Sequence, residues 1–79
     1  MTYILVYELF CDREASDWYG HAELLRTLPT GKPDWSKKPV NSLRDMQAPT
    51  REALRQVLDD GCAAWPEAKT AKRVELVSA

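Results

Sequence analysis

The only histidine, His21, follows Asp17 by four residues, a spacing that on a helix brings an imidazole and a carboxylate within hydrogen-bonding reach. That is the smallest unit of acid-base chemistry, and nothing in the chain completes it. Gly31-Lys32-Pro33 lacks the length and the following helix of a phosphate-cradling loop, and Ser16, Ser36 and Ser42 have no recognisable base beside them. A zinc site would have to gather Cys11, Cys62, His21 and a carboxylate from three segments without any short ligand spacing. The expectation is therefore no catalytic residue, no metal, no cofactor and no enzyme. Cys11 and Cys62 are too few for a disulfide framework and too far apart for a local redox pair. They read as reduced, partly buried small hydrophobes, with a disulfide as the alternative.

The residues with the chemistry of recognition are more concentrated. Eleven Lys and Arg against twelve Asp and Glu give a net charge of -1, so no global field draws the molecule to nucleic acid or to an anionic membrane. The sum conceals a cancellation. Residues 1–31 carry two basic and five acidic side chains (net -3), residues 32–55 six and three (net +3), and residues 56–79 three and four (net -1). In the middle segment Lys32, Lys37, Lys38, Arg44, Arg51 and Arg55 surround Trp35. An exposed aromatic among cations can stack on a base and neutralise phosphates, or press into an acidic protein groove with Trp35 and Arg44 as anchors. The plain alternative folds Trp35 back on the core and leaves the lysines merely solvated. The acidic counterpart is Asp12, Glu14, Asp17 and Glu23 around the first helix; carboxylates early in a helix account for Asp12, Glu14 and Asp17, with occupation of a partner's phosphate-binding arginines as the alternative.

The elements that must carry these residues fit one compact domain over 1–79. Residues 3–10 are aromatic and β-branched over a strand's length, with Tyr3, Leu5, Tyr7 and Leu9 on one side and Ile4, Val6 and Phe10 on the other. Trp18, Ala22, Leu25 and Leu28 recur at near-helical spacing up to Pro29, which predicts a first helix within residues 13–28, with Gly20 as an interior cost. From Pro29 to Pro49 four prolines break any period, leaving a long connection in which Val40 to Met46 could form a short edge strand. Thr50 caps a second helix carrying Leu54, Val57, Leu58, Gly61, Cys62 and Trp65 up to Pro66. Lys72 to Ser78 reads as a closing strand, with Val74 and Leu76 inward. The expected class is α+β: a small two- or three-stranded sheet packed by two helices, in the order strand, helix, loop or short strand, helix, strand.

A strand apolar on both faces needs cover on both, and a sheet so small leaves it short of partners. A homodimer through Tyr3, Leu5, Tyr7 and Leu9 is the expected solution; a monomer with this strand in the middle of the sheet is the alternative. The start, Met1 to Phe10, is short, carries Glu8 and lacks a basic leader, so neither a signal peptide nor a membrane span fits, and a cytoplasmic location is expected.

In size, economy and composition the chain resembles the small single-domain inhibitors encoded by phages and mobile elements, of which anti-CRISPR proteins are the best-known group. That resemblance implies a noncatalytic binder acting in the host cytoplasm. It would block a nucleoprotein machine, such as a CRISPR effector complex, by covering its DNA-binding or assembly surface. The resemblance carries over no residue; the basic stretch around Trp35 assigns partner binding to Trp35, Lys37, Lys38, Arg44, Arg51 and Arg55. Two other readings stand beside it: a small nucleic-acid-associated protein using the basic stretch 32–55, and a small ferredoxin-like dimeric enzyme or ligand binder.

Overall fold

The computed structural model describes residues 2–78. Its elements are β1 (Tyr3–Asp12), β2 (Asp17–Arg26), β3 (Asn41–Ala48), α1 (Arg51–Cys62), a 3-10 turn over Pro66–Lys69, and β4 (Lys72–Ser78). The strands form one mixed sheet in the order β3-β2-β1-β4. The β1–β2 and β2–β3 pairs are antiparallel, and β4 runs parallel to β1. α1 and the 3-10 turn carry the chain from β3 at one edge of the sheet to β4 at the other.

The class is α+β, but the expected two- or three-stranded sheet packed by two helices is overturned: the sheet has four strands, and residues 13–28, expected as a helix, hold a hairpin turn and β2. The residues that suggested a helical stripe also carry a period of two. Gly20, Ala22 and Leu24 face α1, while Tyr19, His21, Glu23 and Leu25 face the opposite side. Leu24 and Leu25 are adjacent and both fully buried, one in each of two apolar clusters. Ten register pairs, from Tyr3↔Arg26 to Asp12↔Asp17, outweigh a weak local helical preference. The turn is chemically marked. Asp12 Oδ1 accepts from the backbone N–H groups of Glu14 and Ala15, each at 3.2 Å, and Ser16 takes a left-handed φ of 53°. The Asp12 carboxylate therefore serves a turn and not a helix dipole.

Gly20, which counts against a helix, is required by the sheet. A Cβ there would lie under 3.0 Å from the Glu8 carbonyl oxygen and 3.3 Å from Leu54 Cδ2, so only glycine allows β1, β2 and α1 to approach this closely.

The helix forms where expected but stops at Cys62, leaving Trp65 outside it, ahead of the 3-10 turn. Thr50 Oγ1 accepts from Ala53 N–H at 3.1 Å, and Leu54, Leu58 and Cys62 are buried against Leu5, Tyr7, Leu9, Ala22 and Leu24. Ile4, Val6 and Leu25 make a smaller cluster on the other face, with Val74 against it. Val74 and Leu76 thus point away from α1, and Leu76 is half exposed.

This packing also corrects the expected dimer interface. Leu5, Tyr7 and Leu9 are completely buried beneath the chain's own helix, with Tyr3 packed beside them, and β1 lies between β2 and β4. Neither that face nor that strand's edge is free for a second copy. Among the described residues no helix is long and apolar enough to cross a membrane.

Candidate functional site

The connection between β2 and β3 is a folded excursion. Leu28 N–H donates to Lys32 O at 2.8 Å, Asp34 N–H to Arg26 O at 2.8 Å, and Val40 N–H to Leu24 O at 2.7 Å. Thr27 and Pro33 form an isolated bridge. At the tip, Asp34 Oδ1 accepts from Ser36 N–H at 3.1 Å and from Ser36 Oγ at 2.5 Å. These two bonds, the hydroxyl's first, hold the Asp34 carboxyl below its ordinary value. Between them sits Trp35, 55% exposed, with Lys32, Lys37 and Lys38 exposed around it. Trp35 does not fold back on the core; a pinned turn displays a large aromatic to solvent.

The expected basic patch is divided. Trp35, Lys37 and Lys38 share the loop, but Arg44 lies on β3 and Arg51 and Arg55 engage β4, at the other edge of the sheet. All three arginines are occupied. Arg44 Nη2 binds the buried Glu23 carboxylate at 3.1 Å, and Arg51 and Arg55 bind the two oxygens of Glu75 at 2.8 and 3.1 Å. Arg51 draws the Glu75 carboxyl below its usual value, with Arg55 adding to the shift.

The same region holds a cluster that sequence reasoning missed. The Tyr7 hydroxyl donates to Asp59 Oδ1 at 2.5 Å, the Arg55 guanidinium lies 4.9 Å from the Tyr7 ring centroid, and Arg73 Nε stands 3.9 Å from Asp59. Burial pushes the Tyr7 hydroxyl up strongly, with the Asp59 hydrogen bond adding to it, and burial also raises the Cys62 thiol. Both groups are held protonated at neutral pH, so the cluster offers neither a thiolate nor a tyrosinate. It ties α1 to β1 and to the edge strand β4. The spacing of Arg55 and Asp59, four apart on the helix, was the signal available in the sequence, but their partners come from strands.

The Asp17–His21 pair does not form. On a strand, four residues span about 13 Å, so the two side chains cannot meet. His21 Nδ1 instead accepts from Asp45 N–H at 3.2 Å, across a bulge where Asp45 has a left-handed φ of 59°. The His21 and Phe10 rings meet in a T-shaped arrangement at 6.0 Å between centroids, and Phe10 stacks on Tyr19 at 5.2 Å. Cys11 and Cys62 are unpaired, and among the described residues no three His, Cys, Asp or Glu side chains converge as metal ligands. An open concavity of about 590 Å³ lies beside the hairpin turn, lined by Cys11, Asp12, Arg13, Glu14 and Tyr19. It has no enclosed end to exclude water.

No protein family, curated protein or solved structure matches this chain.

Proposed function

We propose that this chain is a noncatalytic protein-binding module anchored by the Trp35 loop, acting in the cytoplasm as an inhibitor of a host nucleoprotein complex such as a CRISPR effector. The observation that carries the reading is Trp35 itself, 55% exposed on a turn that hydrogen bonds hold in place. A tryptophan already ordered in its displayed position loses little freedom on binding, and tryptophan is enriched among the residues that dominate interface energy. Lys32, Lys37 and Lys38 around it suit an acidic protein surface. The carboxylates of Glu23 and Glu75, which already engage Arg44, Arg51 and Arg55, weigh against a phosphate-tracking role for those arginines.

The test compares the wild type with Trp35→Ala, and with the triple variant that adds Lys37→Glu and Lys38→Glu, for capture of a purified CRISPR effector complex and for loss of that complex's target-DNA binding. Trp35→Ala is expected to leave folding stability within about 0.5 kcal/mol of wild type. It should weaken capture by about 2 kcal/mol or more, roughly thirtyfold. Capture and DNA blocking unchanged in the triple variant would sink the proposed anchor. Retention of DNA or RNA by the wild-type chain alone, steeply lost with salt, would favour the nucleic-acid reading instead.

A further inference from the structure

The two edges of the sheet are built differently. The β3 edge is polar along Asn41, Ser42, Arg44, Asp45 and Gln47, and it is distorted by the bulge at Asp45. Those are devices that prevent a sheet from growing. The β4 edge has no bulge, and none of its seven residues is buried. Leu76 and Val77, on opposite faces of β4, are 50% and 40% exposed. The helix reaches β4 through ion pairs to Glu75 and Arg73 and does not lay an apolar side over it. β4 thus keeps exposed side chains on both faces, with only Val74 and Glu75 half-buried, and among the described residues no strand pairs along its outer side.

Its sequence complements itself. We propose that β4 pairs antiparallel with β4 of a second copy about a two-fold axis at Val74, joining two four-stranded sheets into one continuous sheet. In this register Arg73 faces Glu75 of the second copy, and Glu75 faces the other Arg73, on the side that carries the helices. Val74 meets its own copy on the opposite side, extending the stripe of Ile4, Val6 and Leu25 across the axis, and the stem of Lys72 covers the exposed Leu76. Lys72 and Arg73, which look like edge-protecting charges, become the cross-strand partners of Leu76 and Glu75. Moving the axis to Glu75 would set two carboxylates directly opposite, an unfavourable pairing.

Sedimentation equilibrium of the full chain reads the assembly directly. The wild type is expected at twice the 9.0 kDa chain mass, and Arg73→Glu should dissociate it by weakening self-association about tenfold or more. Oxidation of Val74→Cys offers an independent readout that keeps every charge. A residue on the axis faces itself at about 4.5–5.5 Å between Cα atoms, within disulfide reach, so this variant should cross-link to a covalent dimer. A wild type that sediments as a single chain at its highest soluble concentration would overturn the proposal. So would a dimer that survives Arg73→Glu and cross-links through Glu75→Cys but not through Val74→Cys. This pairing is independent of the Trp35 loop, and either can fail without the other.

Discussion

Replacing Gly20 with alanine tests the sheet at its tightest point. Gly20 pairs with Leu9 in the middle of the β1–β2 hairpin and lies under Leu54 of the helix. An added methyl would sit roughly 1 Å inside the ~3.3 Å at which a carbon normally meets a carbonyl oxygen. The obstacle is the Glu8 backbone, which no rotamer change can move, and Leu54 Cδ2 at 3.3 Å blocks escape toward the helix. The strands must part by about 1 Å at the centre of a ladder in which β1 serves two neighbours. Overpacking costs about 1–3 kcal/mol where side chains can yield, and a backbone obstacle puts this site at the upper end or beyond. Alanine recovers about 0.5–1 kcal/mol through its lower chain entropy when unfolded. The net expectation is a loss of about 2–3 kcal/mol, which for a domain of this size lowers Tm by about 8–24 °C. Thermal melts followed by far-ultraviolet circular dichroism would show it. A Gly20→Ala melt within about 4 °C of wild type would refute the close approach, and with it the register that places Gly20 beside Leu9.

Gly61→Ala provides the contrast. Its Cβ would crowd the terminal methyl Cδ1 of Leu43, a group that can turn aside, and alanine is favoured in a helix by about 1 kcal/mol. Denaturant unfolding should therefore place this variant within about 1 kcal/mol of wild type; a loss as large as that of Gly20→Ala would mean that Leu43 is rigidly held. Glu75 makes a pH-dependent contribution whose sign follows from its ion pairs with Arg51 and Arg55. Its folded carboxyl is depressed by Arg51 and Arg55, so the stabilisation is present above the ordinary glutamate value near ~4.3 and is lost as pH falls through the folded one. The gap in Tm between wild type and Glu75→Gln should be widest at neutral pH and close in acid. A gap that persists unchanged in acid would disprove the role of these ion pairs.

Three of the main elements are legible in the residues for distinct reasons. β1 is long, aromatic and β-branched; α1 has a capping threonine and a clean stripe; β4 alternates. β2 is not legible because Trp18, Ala22, Leu25 and Leu28 satisfy a helical spacing, whereas the same segment satisfies a two-residue period only when both faces count as interior. Which period wins depends on β1 lying alongside, a fact of tertiary pairing. β3 is obscured by polarity: as an edge strand with Leu43 and Met46 half-buried, it shows hardly any apolar alternation. The loop was legible as a place where cations and an aromatic coincide. That Trp35 stands in solvent while Arg44, Arg51 and Arg55 are claimed by Glu23 and Glu75 depends on carboxylates distant in sequence from the arginines they hold.

The two proposed surfaces have a joint consequence. The Trp35 loop hydrogen-bonds to the end of β2, one strand in from the β3 edge, while β4 forms the opposite edge. A dimer joined through β4 would leave both tryptophan loops free on its outer flanks. On a target that repeats its acidic site, the second loop engages an already tethered partner, and apparent affinity can rise by about 10²–10⁴ without a new contact. Arg73→Glu and Trp35→Ala then have separable signatures. On a densely immobilised target Arg73→Glu should lose the avidity gain, while its binding to a single-site target in solution should match wild type. Trp35→Ala should fail in both formats. Equal loss for Arg73→Glu in both formats would place Arg73 at the target contact itself and not at the seam between copies.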